Sequence, residues 1–269
     1  MSNVKRQTRA GNPVVTQAGT AGAPNHLTDL DVVYVVREGE TNESLIYSLR
    51  SLDNIPHGKV FISGGCPPEL KGVYHIQKDA GGMEMPDQED SNLNLFLASI
   101  NPDLSDDFIF MNDDFFILKK LPEIPVMHQG SLDERIAAYR SDNRFHQAYS
   151  LIRTRDVLMT LNNYNPAEPL LSYELHMPMV MNKYKLAYMF EMWRSLGLEL
   201  FALRPRTMYG NMYKLKGVNT RDAKNTVDTE GRFTSTGVDF DISLAGDIVR
   251  REFSKPGAYE QAYISGGNS

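Results

Sequence analysis

Residues 30–36 read LDVVYVV, an apolar and mostly β-branched run broken only by Asp31. A strand with one wet face alternates apolar and polar residues, whereas a strand covered on both faces reads as continuous apolar sequence. Such a strand belongs inside a mostly parallel sheet with helices on either side. The next segments keep that pace. In ESLIYSLRSL, Leu45, Ile46, Leu49 and Leu52 fall at helical spacing, and Thr41 or Asn42 can cap the start. Strands are expected at 59–62, before the pair Gly64–Gly65, and at 73–76. Strand, helix, strand, strand is the rhythm of an α/β domain.

An acidic loop (Glu84, Asp87, Glu89, Asp90) precedes SNLNLFLASI, in which Leu93, Phe96, Leu97 and Ile100 form one apolar stripe while Asn92 and Asn94 point elsewhere. A strand over 107–111 then delivers Asn112, Asp113 and Asp114 at its carboxyl end, and four more apolar residues follow. Adjacent carboxylates between buried runs repel each other and lose hydration, so something should offset the cost. A hard divalent cation, Mg²⁺ or Mn²⁺, would do so together with phosphate oxygens. The plainer reading is a strand-to-turn junction, where Asn and Asp bond the local backbone. Position favours the cation, because ligands of open α/β sheets bind outside the carboxyl ends of the strands. Asp106 and Asp107 fall at the opposite end of the strand.

The second half reads as mainly helical over 131–162 and 183–196, with Leu186, Met189, Phe190 and Trp193 buried and Gly197 as the stop. A Gly- and Thr-rich stretch at 217–237 reads as a loop or lid, and a last helix spans about 242–253. The helical part is expected to pack on the sheet and complete one site. The organisation is then a disordered arm at 1–28, one catalytic domain at 29–260 and a flexible tail at 261–269.

The net charge of −6 argues against non-specific binding to a phosphate backbone, although Lys5, Arg6 and Arg9 make a basic arm. Cys66 is the only cysteine, which excludes an internal disulfide and fits a reducing compartment. No run of about 18 apolar residues is present and the start lacks the apolar core of a signal peptide, so a cytoplasmic protein with no membrane span is expected. Neither a P-loop nor a GxGxxG fingerprint occurs.

Two further sets of residues could carry chemistry. His176, in YELHMPM, could be a metal ligand or a general base, against the plainer reading of a hydrogen-bonded histidine at a helix entry. Arg37 directly follows the first strand, Arg50 lies on the first helix, and Arg204 and Arg206 flank Pro205. A guanidinium fork suits phosphate, and surface ion pairing is its bland alternative.

Taken in order, DVVYVV, YSLRSL, KVFISGG with PPEL, SNLNLFLASI and FIFMNDDFFI resemble the Stealth-type sugar-phosphate transferases over about residues 30–120. Beyond that stretch the resemblance thins to His176 and its LHMP. It implies a GT-A-like (Rossmann-related) fold, a mostly parallel sheet flanked by helices with a helical C-terminal half completing the site. It also implies a metal-dependent transferase that moves a sugar or a sugar-1-phosphate from a nucleotide-sugar donor to an acceptor hydroxyl. Carried over by position, Asn112, Asp113 and Asp114 are the donor and metal motif, Arg50 lies in the family's helix element, and His176 matches its later histidine. Asp113 and Asp114 would hold Mn²⁺ or Mg²⁺, Arg37 and Arg50 would contact the donor, and His176 with Asp114 would act in catalysis. The acceptor could be a polysaccharide, a protein or a modified DNA base. The rival readings are a non-catalytic nucleotide-sugar-binding protein and a metal-dependent phosphohydrolase.

Overall fold

The structure is a computed structural model that describes residues 30–37, 42–78, 87–198, 203–237 and 240–260. The expected arm at 1–28, the tail at 261–269 and Thr41 lie outside the described residues. In chain order the first elements are β1 (Asp31–Val36), α1 (Glu43–Ser51), β2 (Val60–Gly64), β3 (Val73–Ile76) and α2 (Asp87–Ser99). Next come β4 (Asp107–Asn112), β5 (Phe115–Ile117), β6 (Met127–His128), α3 (Leu132–Ser141) and α4 (Phe145–Thr160). The chain continues with β7 (Met179–Asn182), α5 (Lys183–Ser195), α6 (Pro205–Met212), β8 (Val218–Asn219), β9 (Phe233–Ser235) and α7 (Leu244–Glu252).

The main sheet has the order β3-β2-β1-β4-β7. β1, β2, β3 and β4 run parallel, and β7 pairs antiparallel with β4 at one edge. β1 lies at the centre and all six of its residues are buried, as its unbroken run requires. The one polar residue in that run, Asp31, is satisfied by backbone N–H groups: Oδ1 accepts from Lys59 at 2.7 Å and Oδ2 from Ser105 at 2.9 Å. It stitches three chain segments together at the sheet end remote from Asp113, and there Lys183 reaches Asp106 at 3.4 Å while Asn182 donates to Asp107 at 2.8 Å.

Helix signals translate directly where the caps are local. Asn42 caps α1, its Oδ1 accepting from the Leu45 N–H at 3.0 Å. Gly197, at φ +67°, ends α5 after a face of Leu186, Met189, Phe190 and Trp193 that is fully buried. The helical run expected over 131–162 is two helices, broken near Asn143 at φ +58°.

α2 differs from its expected face. Asp87, Glu89 and Asp90 belong to its first turn rather than to an acidic loop. Asn92 and Asn94 are buried, whereas Ile100 is exposed. The reason is that α2 lies across strand ends, where carbonyls need donors. Asn94 Nδ2 reaches the Val36 carbonyl and Asp90 Oδ2, each at 3.3 Å. Buried amides with partners are tolerated where buried amides alone would not be.

Gly64 makes that approach possible. It sits beside Val36 at φ +100°, and a Cβ there would fall 2.1 Å from the Val36 carbonyl oxygen and 2.5 Å from Asn94 Nδ2. Gly64→Ala should therefore cost more than the roughly 1–3 kcal/mol of a strained φ alone. Chemical denaturation should show a clearly lowered midpoint; an unchanged midpoint would refute this packing.

The stretch at 217–237 is not a loose lid. β8 pairs with β6, β9 pairs antiparallel with β5, and Ala223, Asp228, Thr234, Ser235 and Thr236 are buried. Asp228 anchors it, accepting from the Phe233 N–H at 2.9 Å and from Arg232 Nε at 3.1 Å. Small polar side chains fill this core because they bond the backbone they pack against: Thr234 Oγ1 donates to the Thr226 carbonyl at 2.5 Å.

Candidate active site

The register places Val35 of β1 beside Asn112 of β4, so Arg37 and Asn112-Asp113-Asp114 emerge at the same end of the sheet. At Asp113–Asp114 the chain turns and leaves the main sheet, and β5 joins a separate ribbon with β9. That departure explains carboxylates between two apolar runs. The runs are buried in different sheets, and the turn joining them faces a cavity of about 1050 Å³. Asn112, Asp113, Asp114, Arg37 and His176 all line it.

Each carboxylate is held from a different element. Asn42, while capping α1, donates from Nδ2 to Asp113 Oδ2. Asp114 Oδ2 accepts from the Ser235 hydroxyl at 2.8 Å and the Gly237 N–H at 3.0 Å. Both contacts fall on Oδ2, and among the described residues no hydrogen-bond donor reaches Oδ1 of Asp114. Burial pushes the Asp113 carboxyl up to about 6, helped by the neighbouring charge of Asp114 and opposed by the Asn42 bond and Arg37.

His176 approaches from the segment before β7 and is fixed by a residue of the 217–237 stretch. Asp222 Oδ1 accepts from the His176 backbone N–H at 2.7 Å, and Oδ2 meets Nδ1 at 2.8 Å. Burial would raise the Asp222 carboxyl, but the His176 bonds and the Arg206 charge outweigh it and hold the group below its usual range. A carboxylate only accepts, so Nδ1 carries the proton and, in the neutral ring, Nε2 keeps its lone pair. Phe115 packs edge-on to the imidazole, with centroids 6.2 Å apart.

Arg50 is not brought to this cavity. Its guanidinium forks onto Glu260, with Nε–Oε1 and Nη2–Oε2 both 2.7 Å, and donates to the Phe253 carbonyl at 2.7 Å. It ties α1 to the residues after α7, which is the ion-pairing alternative, and its expected donor contact is corrected accordingly. Arg206 is also structural: it is buried, donates to the Leu175 carbonyl, and lies 5.6 Å from the ring centres of Phe110 and Phe115.

Asn42, Asp222, Ser235, Gly237 and Lys224 are site or supporting residues that the sequence reading missed. Asn42 was legible as a cap but not as a partner of Asp113. The other four lie in a stretch whose composition reads as a loop, and only pairing with β5 and β6 brings it home.

Asp113 and Asp114 offer hard oxygen donors, which suits Mg²⁺ or Mn²⁺. Among the described residues no group of three or more His, Cys, Asp or Glu side chains converges to hold an ion. The chain would therefore supply two carboxylates, leaving the other positions to water and substrate oxygens, as is usual for magnesium with phosphates.

No family profile and no curated protein sequence matches the chain. Among solved structures it is similar to the galactosyltransferase LgtC in complex with donor and acceptor sugar analogues, at TM-score 0.46 and 9% identity, over 84% of this chain and 96% of that one. It is also similar to an active-site mutant of LgtC, at TM-score 0.38 and 10% identity, over 68% of this chain and 70% of that one. Among the described residues no helix is long and apolar enough to cross a membrane.

Proposed function

We propose that this chain is a GT-A-like, metal-dependent transferase that moves a sugar, or a sugar-1-phosphate, from a nucleotide-sugar donor to an acceptor hydroxyl. The observation that carries this reading is the carboxylate turn at the strand ends, in a cavity that Arg37 and the Asp222-held His176 also line. The sequence resemblance to Stealth-type transferases supports the same reading. Asp113 and Asp114 would hold a divalent cation, which when bound supplies positive charge against the donor's diphosphate. Arg37 adds a second positive group beside Asp113. His176 Nε2 takes the acceptor proton as the acceptor oxygen bonds to the donor, and the nucleotide leaves with the electrons of the broken bond. Asp222 keeps the imidazole in the tautomer that can accept and stabilises the cation it becomes. Phe240, Asn42 and Gly237 also line the cavity. The single Cys66 supports a cytoplasmic setting.

Incubation with a panel of nucleotide sugars and Mn²⁺ tests the reading. It predicts metal-dependent release of nucleotide, a nucleoside diphosphate for glycosyl transfer or a monophosphate for sugar-phosphate transfer. Binding without any release would favour a binding protein, and release of inorganic phosphate from simple esters would favour a phosphohydrolase.

A further inference from the structure

A second chamber of about 240 Å³ adjoins the larger cavity. Gln88, Ser91, Asn112, His176 and Lys224 line both spaces, so His176 stands at their junction. The smaller space is walled by Tyr139 of α3, Arg144 just before α4, Gln147 of α4 and Arg204 at the head of α6.

The two spaces differ in charge. Glu43, Asp113, Asp114 and Asp241 border the larger one against Arg37 and Lys224. The smaller one has Arg144, Arg204, Arg206 and Lys224 against Glu174 alone. Arg206 lies 3.8 Å from Glu174, which accounts for that pair. Among the described residues no carboxylate forms an ion pair with Arg144, Arg204 or Lys224. Arg204 is nonetheless fixed, through neutral acceptors: Nε donates to Ser150 Oγ at 2.9 Å and Nη1 to Gln88 Oε1. The Arg144 guanidinium lies 4.5 Å from the centre of the Tyr139 ring. Guanidinium groups oriented by uncharged partners keep their charge for a ligand, and they select planar or tetrahedral oxyanions.

We propose that the second chamber is the acceptor subsite and that the acceptor is an anionic hydroxyl compound of about one sugar ring, bearing a phosphate or a carboxylate. Its anionic group lies against Arg204, Arg144 and Lys224, and its hydroxyl faces His176 Nε2. The hydroxyl proton passes to Nε2 as the new bond to the donor forms and the donor's bond to its leaving phosphate oxygen breaks. This assignment of an acceptor rests on the transferase reading, but the anion preference of the chamber can be measured without any donor.

The test compares binding of glucose 6-phosphate, glucuronate and glucose by calorimetry to the wild type, Arg204→Ala and the surface variant Arg144→Ala, with nucleotide-sugar binding measured on the same samples. The wild type should prefer glucose 6-phosphate or glucuronate over glucose by about tenfold or more, and which of the two binds tighter distinguishes phosphate from carboxylate. Both variants should lose that preference and still bind the nucleotide sugar. Equal binding of all three probes, or a preference that survives both substitutions, overturns the proposal while leaving the donor site standing. Anion preference without any nucleotide-sugar binding removes the acceptor assignment together with the transferase reading.

Discussion

Asp114→Ala should lower transfer by about 10²–10³-fold or more, since it removes half of the charge that would face the donor's diphosphate. It should do so in a folded protein. The substitution orphans the Ser235 hydroxyl and the Gly237 N–H, at about 1–3 kcal/mol for buried groups left unsatisfied. That is less than the roughly 5–15 kcal/mol of a typical domain. Asp114→Asn separates the two effects, because an amide oxygen can still accept those bonds while the charge is gone. The asparagine variant should unfold near the wild type and remain as inactive as the alanine variant. An active Asp114→Asn protein would show that the carboxylate serves only to hold the backbone near Gly237.

His176→Ala should cost about 10²–10⁴-fold in kcat, the usual worth of a positioned general base. Asp222→Asn should cost less and leave KM unchanged, because the amide still fills the space but no longer holds the imidazole in one tautomer. Asp222 also carries a stability signature. Its folded carboxyl lies below the ordinary range, so its contribution is present above the unfolded pKa and is lost as pH falls through the folded one. The wild type should lose more stability than Asp222→Asn between neutral and strongly acidic pH. Identical acid profiles would mean that the His176–Asp222 contact contributes nothing to the fold. A kcat unaffected by His176→Ala would remove the base.

The main sheet was legible because its signals are local. The run at 30–36 specifies a strand covered on both faces, Asn42 and Gly197 punctuate helices, and the apolar residues before Asn112 place the carboxylates at a strand end. What escaped depends on partners distant in sequence. The stripe assigned to α2 failed because periodicity counts Asn as polar, whereas Asn92 and Asn94 are buried as donors to carbonyls at Leu203 and Val36. Arg50 matched a family element by position, yet Glu260, more than two hundred residues away, takes its guanidinium. The stretch at 217–237 has the composition of a loop, and neither its pairing with β5 nor the contact of Asp222 with His176 leaves a mark on local sequence. Within the carboxylate motif the sequence identified the charged groups, but the groups that orient them are spread from Asn42 to Gly237.

The most direct measurement is calorimetric titration of nucleotide sugars into the wild type and Asp114→Asn, with and without Mn²⁺. At least one nucleotide sugar should bind the wild type with a metal-dependent gain in affinity that Asp114→Asn lacks. Metal-independent binding that is equal in both proteins would contradict the assignment of the strand-end carboxylates as the platform beneath the donor.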